Sequence, residues 1–189
     1  KKELARVFRN SRMLMEEAGC SSLGSLIPET IRLFDREPEE LDCYRRRFRY
    51  VLVDEFQDTN YAQVELLKRL VKPPYNLTAV GDDDQAIYRF RGASHGAFKM
   101  FDEAFPGHST VLLDTNYRST QRILRAADVV IAKNDRYEAK PRLRASQAEG
   151  CPVDLLQSPD YVSEAAWVAD EVSRLAMRGT PPGDIALLY

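Results

Sequence analysis

Tyr50-Val51-Leu52-Val53-Asp54-Glu55-Phe56-Gln57-Asp58-Thr59-Asn60 is the stretch whose reading decides the fold. Three aliphatic residues run without a polar break and stop at two adjacent carboxylates. Such a run suits a strand buried on both faces, as in a parallel sheet covered by helices. In open α/β sheets ligands sit beyond the carboxyl ends of the strands, where Asp54 and Glu55 emerge. A carboxylate there can hold Mg²⁺, directly or through its waters, and its neighbour can take a proton from an attacking water. The same residues also read as an acidic turn opening the next helix, with Asp58 or Thr59 as its N-cap. Gln57, Asp58 and Thr59 add polar groups at the same edge.

Outward from this stretch, helical and strand-like segments alternate. Residues 3–18 and 23–34 have helical periodicity, the second interrupted by Pro28, where a kink or break is expected. Pro38 followed by Glu39 and Glu40 fits the first turn of a third helix. Arg45, Arg46, Arg47 and Arg49 then form either a solvated face or a phosphate-contacting edge. A helix is expected after Asn60, through about Val71, ended by Pro73-Pro74. Leu77–Val80, Thr110–Leu113, Val153–Leu156 and Ile185–Tyr189 read as further strands. Helices are expected over 94–104, 119–132 and 162–177, and an irregular loop over 133–150. Alternation of this kind implies right-handed crossovers and a parallel sheet, an α/β fold.

The bulk numbers constrain function only loosely. Apolar residues make up 44% and charged ones 30%, ordinary for a soluble globular protein, and 189 residues suffice for one large or two small domains. The net charge of −2 neither demands nor forbids nucleic acid, since a local basic surface would be enough. Cys20, Cys43 and Cys151 are odd in number and widely spaced, so they read as reduced thiols of a cytoplasmic protein. No run reaches the length of a membrane span. The start at Lys1-Lys2 and the end on Leu188-Tyr189 suggest a piece of something longer.

The first three expected strands each run into a polar cluster. The first leads to Asp54 and Glu55. The second leads to Gly81-Asp82-Asp83-Asp84-Gln85-Ala86-Ile87-Tyr88-Arg89-Phe90-Arg91-Gly92-Ala93, and the third to Asn116-Tyr117-Arg118-Ser119. Parallel strands would bring these to one edge. Acids to hold a metal, a glutamine to feel a phosphate oxygen and an arginine to stabilise transferring charge are what phosphoryl transfer requires. The triple aspartate also fits a solvated loop or helix caps. Tyr88 and Phe90 fit core packing as well as they fit bases stacked beside Arg89 and Arg91.

VLVDEFQDTN, AVGDDDQAIYRFRGA and TNYRS, in this order and spacing, resemble motifs II, III and IV of superfamily 1 DNA helicases of the UvrD/Rep/PcrA type. The resemblance covers most of the chain. It implies that 1–44 ends a helical insertion, that 45–113 is the second half of a first RecA-like motor domain, and that 114–189 begins a second. Asp114-Thr115 would be the crossing point. It implies ATP with Mg²⁺ and single-stranded and duplex DNA as partners, with 3′ to 5′ movement driven by closure between the motor domains. By the same resemblance Asp54 would bind the Mg²⁺ of Mg-ATP, Glu55 would activate water and Gln85 would sense the γ-phosphate. Tyr117 would stack on adenine and Arg118 would be an arginine finger. Tyr88 and Phe90 would contact DNA bases, and Arg91 would couple the two sites. Many relatives have Trp where this chain has Phe90, which implies weaker stacking.

Departures from the pattern set limits. The 189 residues contain no G-x-x-x-x-G-K-[ST], so the chain by itself is expected to bind ATP poorly and hardly hydrolyse it. The later arginine-bearing motif is also missing. Ser21-Ser22-Leu23-Gly24-Ser25-Leu26 stands where relatives carry Asp-Phe-x-x-Leu. Two other classes remain open at this stage. One is a metal-dependent nuclease using Asp54, Glu55, Asp58 and Asp82–Asp84 as a two-metal site, and the other a non-catalytic DNA-binding module.

Overall fold

The computed structural model describes residues 2–87, 96–134 and 140–189. The chain forms a mixed helix–sheet structure that divides into two units. One comprises Lys1–Thr115 with Asp128–Leu143, the other Asn116–Ala127 with Arg144–Tyr189.

The first unit begins with helices α1 (Lys2–Glu17), α2 (Leu26–Arg36) and α3 (Pro38–Arg47). Pro28 does not break α2, because the helix starts only two residues earlier. In a first turn the missing N–H has no helical acceptor to lose. The serine-rich entry folds back on itself. Ser22 N donates to Ser25 Oγ (3.1 Å) and Ser25 Oγ donates to Ser22 O (2.8 Å), which shapes the short 3₁₀ turn Leu23–Ser25. Pro38 opens α3 as expected, with Glu39 and Glu40 at its positive end.

Strand β1 (Val51–Val53) pairs in parallel with β2 (Leu77–Ala79), Val53 opposite Ala79. Between them runs α4 (Tyr61–Leu70), and α5 (Ala97–Ala104) follows β2. The N-cap of α4 is Asn60, not Asp58 or Thr59. Asn60 Oδ1 accepts from Gln63 N (3.1 Å) and Asn60 N donates to Gln63 Oε1 (2.8 Å), a capping box. Thr59 instead closes the preceding turn, its buried hydroxyl donating to Phe56 O (2.6 Å).

The core lies on one side of the two strands. Phe56, Val64, Leu67, Val71, Ala97 and Phe105 are buried together, with Val51 and Val53 packed against them. Phe56 is wholly inaccessible and meets Phe101 edge to face at 5.2 Å. The expectation of a strand covered on both faces is corrected here. Leu52 is 76% exposed, because α4 and α5 cover only the face that Val51 and Val53 share. Arg45 donates to Arg69 O (2.8 Å), and Arg69 grips Asp35 with two bonds (2.8 and 3.1 Å), tying α3, α4 and α2 together. Two arginines of this region thus join helices.

The short strand β3 (Thr115–Asn116) runs into the second unit and pairs with β4 (Arg144–Ala145), and within that unit Ser146 N donates to Asn116 O (2.9 Å). Helix α6 (Gln121–Ile131) is tied at its first turn to the 148–149 backbone, with Gln121 N on Ala148 O and Arg122 N on Glu149 O (both 3.2 Å). Helix α7 (Tyr161–Met177) is N-capped by Asp160, which accepts from Ser163 N (2.8 Å). The strands expected at 110–113, 153–156 and 185–189 do not form. Val111, Leu113, Leu155 and Leu188 are exposed, and these segments make no ladder among the described residues. An isolated strand leaves its backbone groups unpaired, so apolar composition alone does not hold it.

Phe56 is a fully buried aromatic side chain beside the strand ends, and Phe56→Ala removes most of its packed volume. It should cost about 3–5 kcal/mol, read as a lower urea midpoint with an unchanged slope.

Candidate functional site

The end of β1 and the end of β2 meet at one edge. Val80 N donates to Val53 O (2.8 Å) and Phe56 N donates to Val80 O (2.9 Å), so the ladder outlasts both strands and turns the chain at Asp54-Glu55. Glu55 takes the left-handed conformation (φ 49°, ψ 45°), alone among the described non-glycine residues. A non-glycine residue there costs about 1–3 kcal/mol and persists only where surrounding contacts hold it. Asp54 and Glu55 are both exposed, and Asp54 Oδ1 accepts from Glu55 N (2.9 Å).

Gln57 joins this turn to the next. Its side chain, in a residue only 2% exposed, donates from Nε2 to Glu55 Oε2 (2.6 Å) and accepts at Oε1 from Asp82 N (3.0 Å). Gly81 makes the approach possible, since a Cβ there would stand 2.5 Å from Gln57 Oε1 and 3.0 Å from Phe56 N. Asp82 then organises the second turn. Its Oδ1 accepts from Asp84 N (3.1 Å), and its Oδ2 accepts from Gln85 Nε2 (2.9 Å). Asp54, Glu55 and Gln85 therefore belong to one edge of one unit. Asp58 lies at the same turn, and its Oδ1 is buried with no hydrogen-bond partner.

The sequence reading missed Lys140. Its ammonium contacts Asp82 and Asp83 and lies 3.6 Å from Asp84 Oδ2, while Asn134 Nδ2 donates to Asp84 Oδ1 (3.2 Å). Burial pushes the Asp82 carboxyl up, but hydrogen bonds from Lys140 and Gln85 outweigh it and hold it below the usual carboxylate range. Burial also lowers Lys140, and its bonds to Asp82 and Asp83 more than reverse this, leaving the ammonium above its ordinary range. The three carboxylates lie within 4.8 Å of one another, a spacing that could hold a cation. The Lys140 ammonium offsets part of that negative charge. No signal pointed to Lys140, which sits in a polar segment without periodicity, 58 positions beyond Asp82.

Tyr117 and Arg118 lie in the other unit, both exposed. Asn116 Oδ1 accepts from Arg118 N (2.9 Å) and Ser119 N (2.7 Å), and Gln147 Nε2 donates to Tyr117 O (3.0 Å), so a local turn presents both side chains outward. The third cluster follows the two-residue strand β3 and not a strand at 110–113, which does not form. Tyr88, Phe90 and Arg91 lie outside the described residues.

Residues 1–106 match the sequence profile of the UvrD/REP helicase N-terminal domain, and 111–189 that of the UvrD-like helicase C-terminal domain. The chain belongs to the UvrD/REP helicase family. It is 44% identical over 165 residues to the ATP-dependent DNA helicase PcrA of Bacillus subtilis, covering 87% of this chain and 22% of that protein. It is 39% identical to the ATP-dependent DNA helicase UvrD1 of Mycobacterium leprae, over 98% of this chain and 25% of that protein. A putative ATP-dependent DNA helicase of Bacillus subtilis, YjcD, is 35% identical over the whole chain and 25% of its own length. The chain thus spans about a quarter of these curated relatives. No described helix is long and apolar enough to cross a membrane.

The Lys140–Asp82 contact sets a pH window. The depressed Asp82 contributes stability above its unfolded value of about 4, lost as pH falls through the lower folded value. The raised Lys140 contributes below its unfolded value of about 10.4, lost as pH rises through the higher folded value. The stability difference between the unmodified protein and Lys140→Met, measured by urea titration, should therefore be a plateau between those limits that shrinks on both sides. A difference that stays flat through pH 3 would contradict the contact.

Proposed function

We propose that this chain is the central part of an ATP-dependent DNA helicase or translocase of the cytoplasm, which couples ATP hydrolysis to 3′ to 5′ movement on single-stranded DNA. Residues 1–44 would end a helical insertion, 45–113 would form the second half of a RecA-like motor domain, and 114–189 the start of a second. What supports this reading most is the shared edge, where Gln57 holds Glu55 and Asp82 holds Gln85 beside the exposed Asp54, in a chain of this family.

The donor set at that edge suits the substrate. Mg²⁺ prefers a few carboxylate oxygens together with water and phosphate, and Asp54 is an exposed carboxylate at a strand end. The buried, unpartnered Asp58 Oδ1 is a second acceptor for a hydrated cation in the same turn. Asp54 would hold the Mg²⁺ that accompanies ATP, and that ion would neutralise charge on the phosphates. Glu55 would accept the proton of the attacking water at a carboxylate oxygen. Gln85, its amide oriented by Asp82, would meet the γ-phosphate.

Arg118 would carry positive charge to the transferring phosphoryl group, a role worth roughly 10³–10⁵ in rate in NTPases that use one. Tyr117 would stack on adenine. Tyr88 and Phe90 would stack on DNA bases, and Arg91 would link nucleotide state to DNA grip.

In the full-length protein, Glu55→Gln should abolish steady-state ATPase while ATP binding persists, since the amide cannot take the proton. Near-normal turnover would remove Glu55 from the base role and favour a non-catalytic module. Phe90→Ala should weaken single-stranded DNA binding at fixed salt by about 1–3 kcal/mol, the worth of one stacked base. An unchanged titration would return Phe90 to core packing.

A further inference from the structure

Gln57 has no part in the roles above, yet it is the most deeply buried polar side chain described at this edge, and both ends of its amide are used. Its Nε2 donates to Glu55 Oε2, its Oε1 accepts from Asp82 N, and Asp82 in turn accepts from Gln85 Nε2. Glu55 is otherwise an exposed side chain on a left-handed backbone, and an exposed glutamate samples several rotamers. Gly81 leaves the space into which Oε1 fits, so both turns are shaped around this amide.

We infer that Gln57 is a positioning residue that fixes the Glu55 carboxylate and ties it, through the Asp82 turn, to Gln85. The inference rests on the reading of Glu55 as the group that takes the proton of water. The amide can do this because its two ends differ. The donor end can face only an acceptor, so it selects the carboxylate, and the acceptor end takes the backbone N–H of Asp82. A carboxylate held in one rotamer meets its water in one geometry, and a misplacement of about 1 Å costs on the order of 10²-fold in rate. Glu55 and Gln85 would then move together, so a shift of Gln85 on meeting phosphate would reach the base through three hydrogen bonds.

The test uses the full-length protein and two substitutions. Gln57→Glu keeps an oxygen for Asp82 N but sets a carboxylate against Glu55. It should leave the Asp82 amide slow to exchange with deuterium and KM for ATP within about twofold, while kcat falls about 10²-fold. Gln57→Met removes both bonds, and should give the same fall in kcat together with faster exchange at Asp82. A Gln57→Glu protein with kcat within about threefold of the unmodified one would overturn the inference, as would a loss carried by KM alone. If Gln57→Glu does not fold, Gln57→Met decides by the same split of kcat from KM. In the unmodified protein, rapid exchange at Asp82 would deny the bridge even if Glu55→Gln abolishes turnover. Turnover surviving in Glu55→Gln would instead count against the base reading, with the bridge still standing.

Discussion

Two backbone hydrogen bonds beyond the last paired residues, Val80 N to Val53 O and Phe56 N to Val80 O, are what the rest of the site depends on. They carry the backbone pairing on to Val80 and, across the Asp54-Glu55 turn, to Phe56, drawing Phe56 back toward the sheet. The Phe56 ring then drops into the core, where it is wholly inaccessible. A chain leaving Val53 and returning its amide to Val80 within three residues must reverse sharply. Glu55 takes the reversal as a left-handed residue, on a side chain that has no glycine to relieve it. The burial of an aromatic ring, worth about 1.5–3 kcal/mol, is of the size needed to offset a backbone cost of about 1–3 kcal/mol. The exposed acid is thus held in an unusual conformation by a neighbour that is not exposed at all.

How much of this was legible in the sequence follows from the range of the forces involved. The helices were legible because their signals are local: Pro38 with two glutamates begins one helix, and the spacing of Val64, Leu67 and Val71 marks the buried side of another. Both strands at the site were legible because each ends on a Gly or Asp turn. The choice of cap was not, since Asp58, Thr59 and Asn60 can all cap a helix and only the three-residue spacing to Gln63 selects Asn60. The segments 110–113, 153–156 and 185–189 have strand composition but make no described pairing, and composition cannot supply a neighbour.

Side-chain partners across long separations were the least legible part. Gln57 and Asp82 stand 25 positions apart, and Lys140 stands 58 from Asp82. Neither pairing leaves a periodic trace. The presence of Gly81 was visible, but not its reason. It is not a turn requirement, because the constraint is the close approach of Gln57 Oε1 and Phe56 N to the position a Cβ would occupy.

The triple aspartate illustrates how a charge cluster changes meaning once its partners are known. From the sequence it reads as a solvated loop or a cation site. In the structure Asp82 spends one oxygen on Asp84 N and Lys140 and the other on Gln85, so it is an organiser of its own turn. Three adjacent carboxylates would repel one another, and the ammonium they share offsets part of that repulsion. That leaves Asp54, Glu55 and Asp58 as the acids at this edge without a described cationic partner. Asp54 and Glu55 stay exposed at the strand end, whereas the cluster bound by the ammonium holds Gln85 in place through Asp82. The division of labour between the two acidic turns therefore follows from where a single lysine sits.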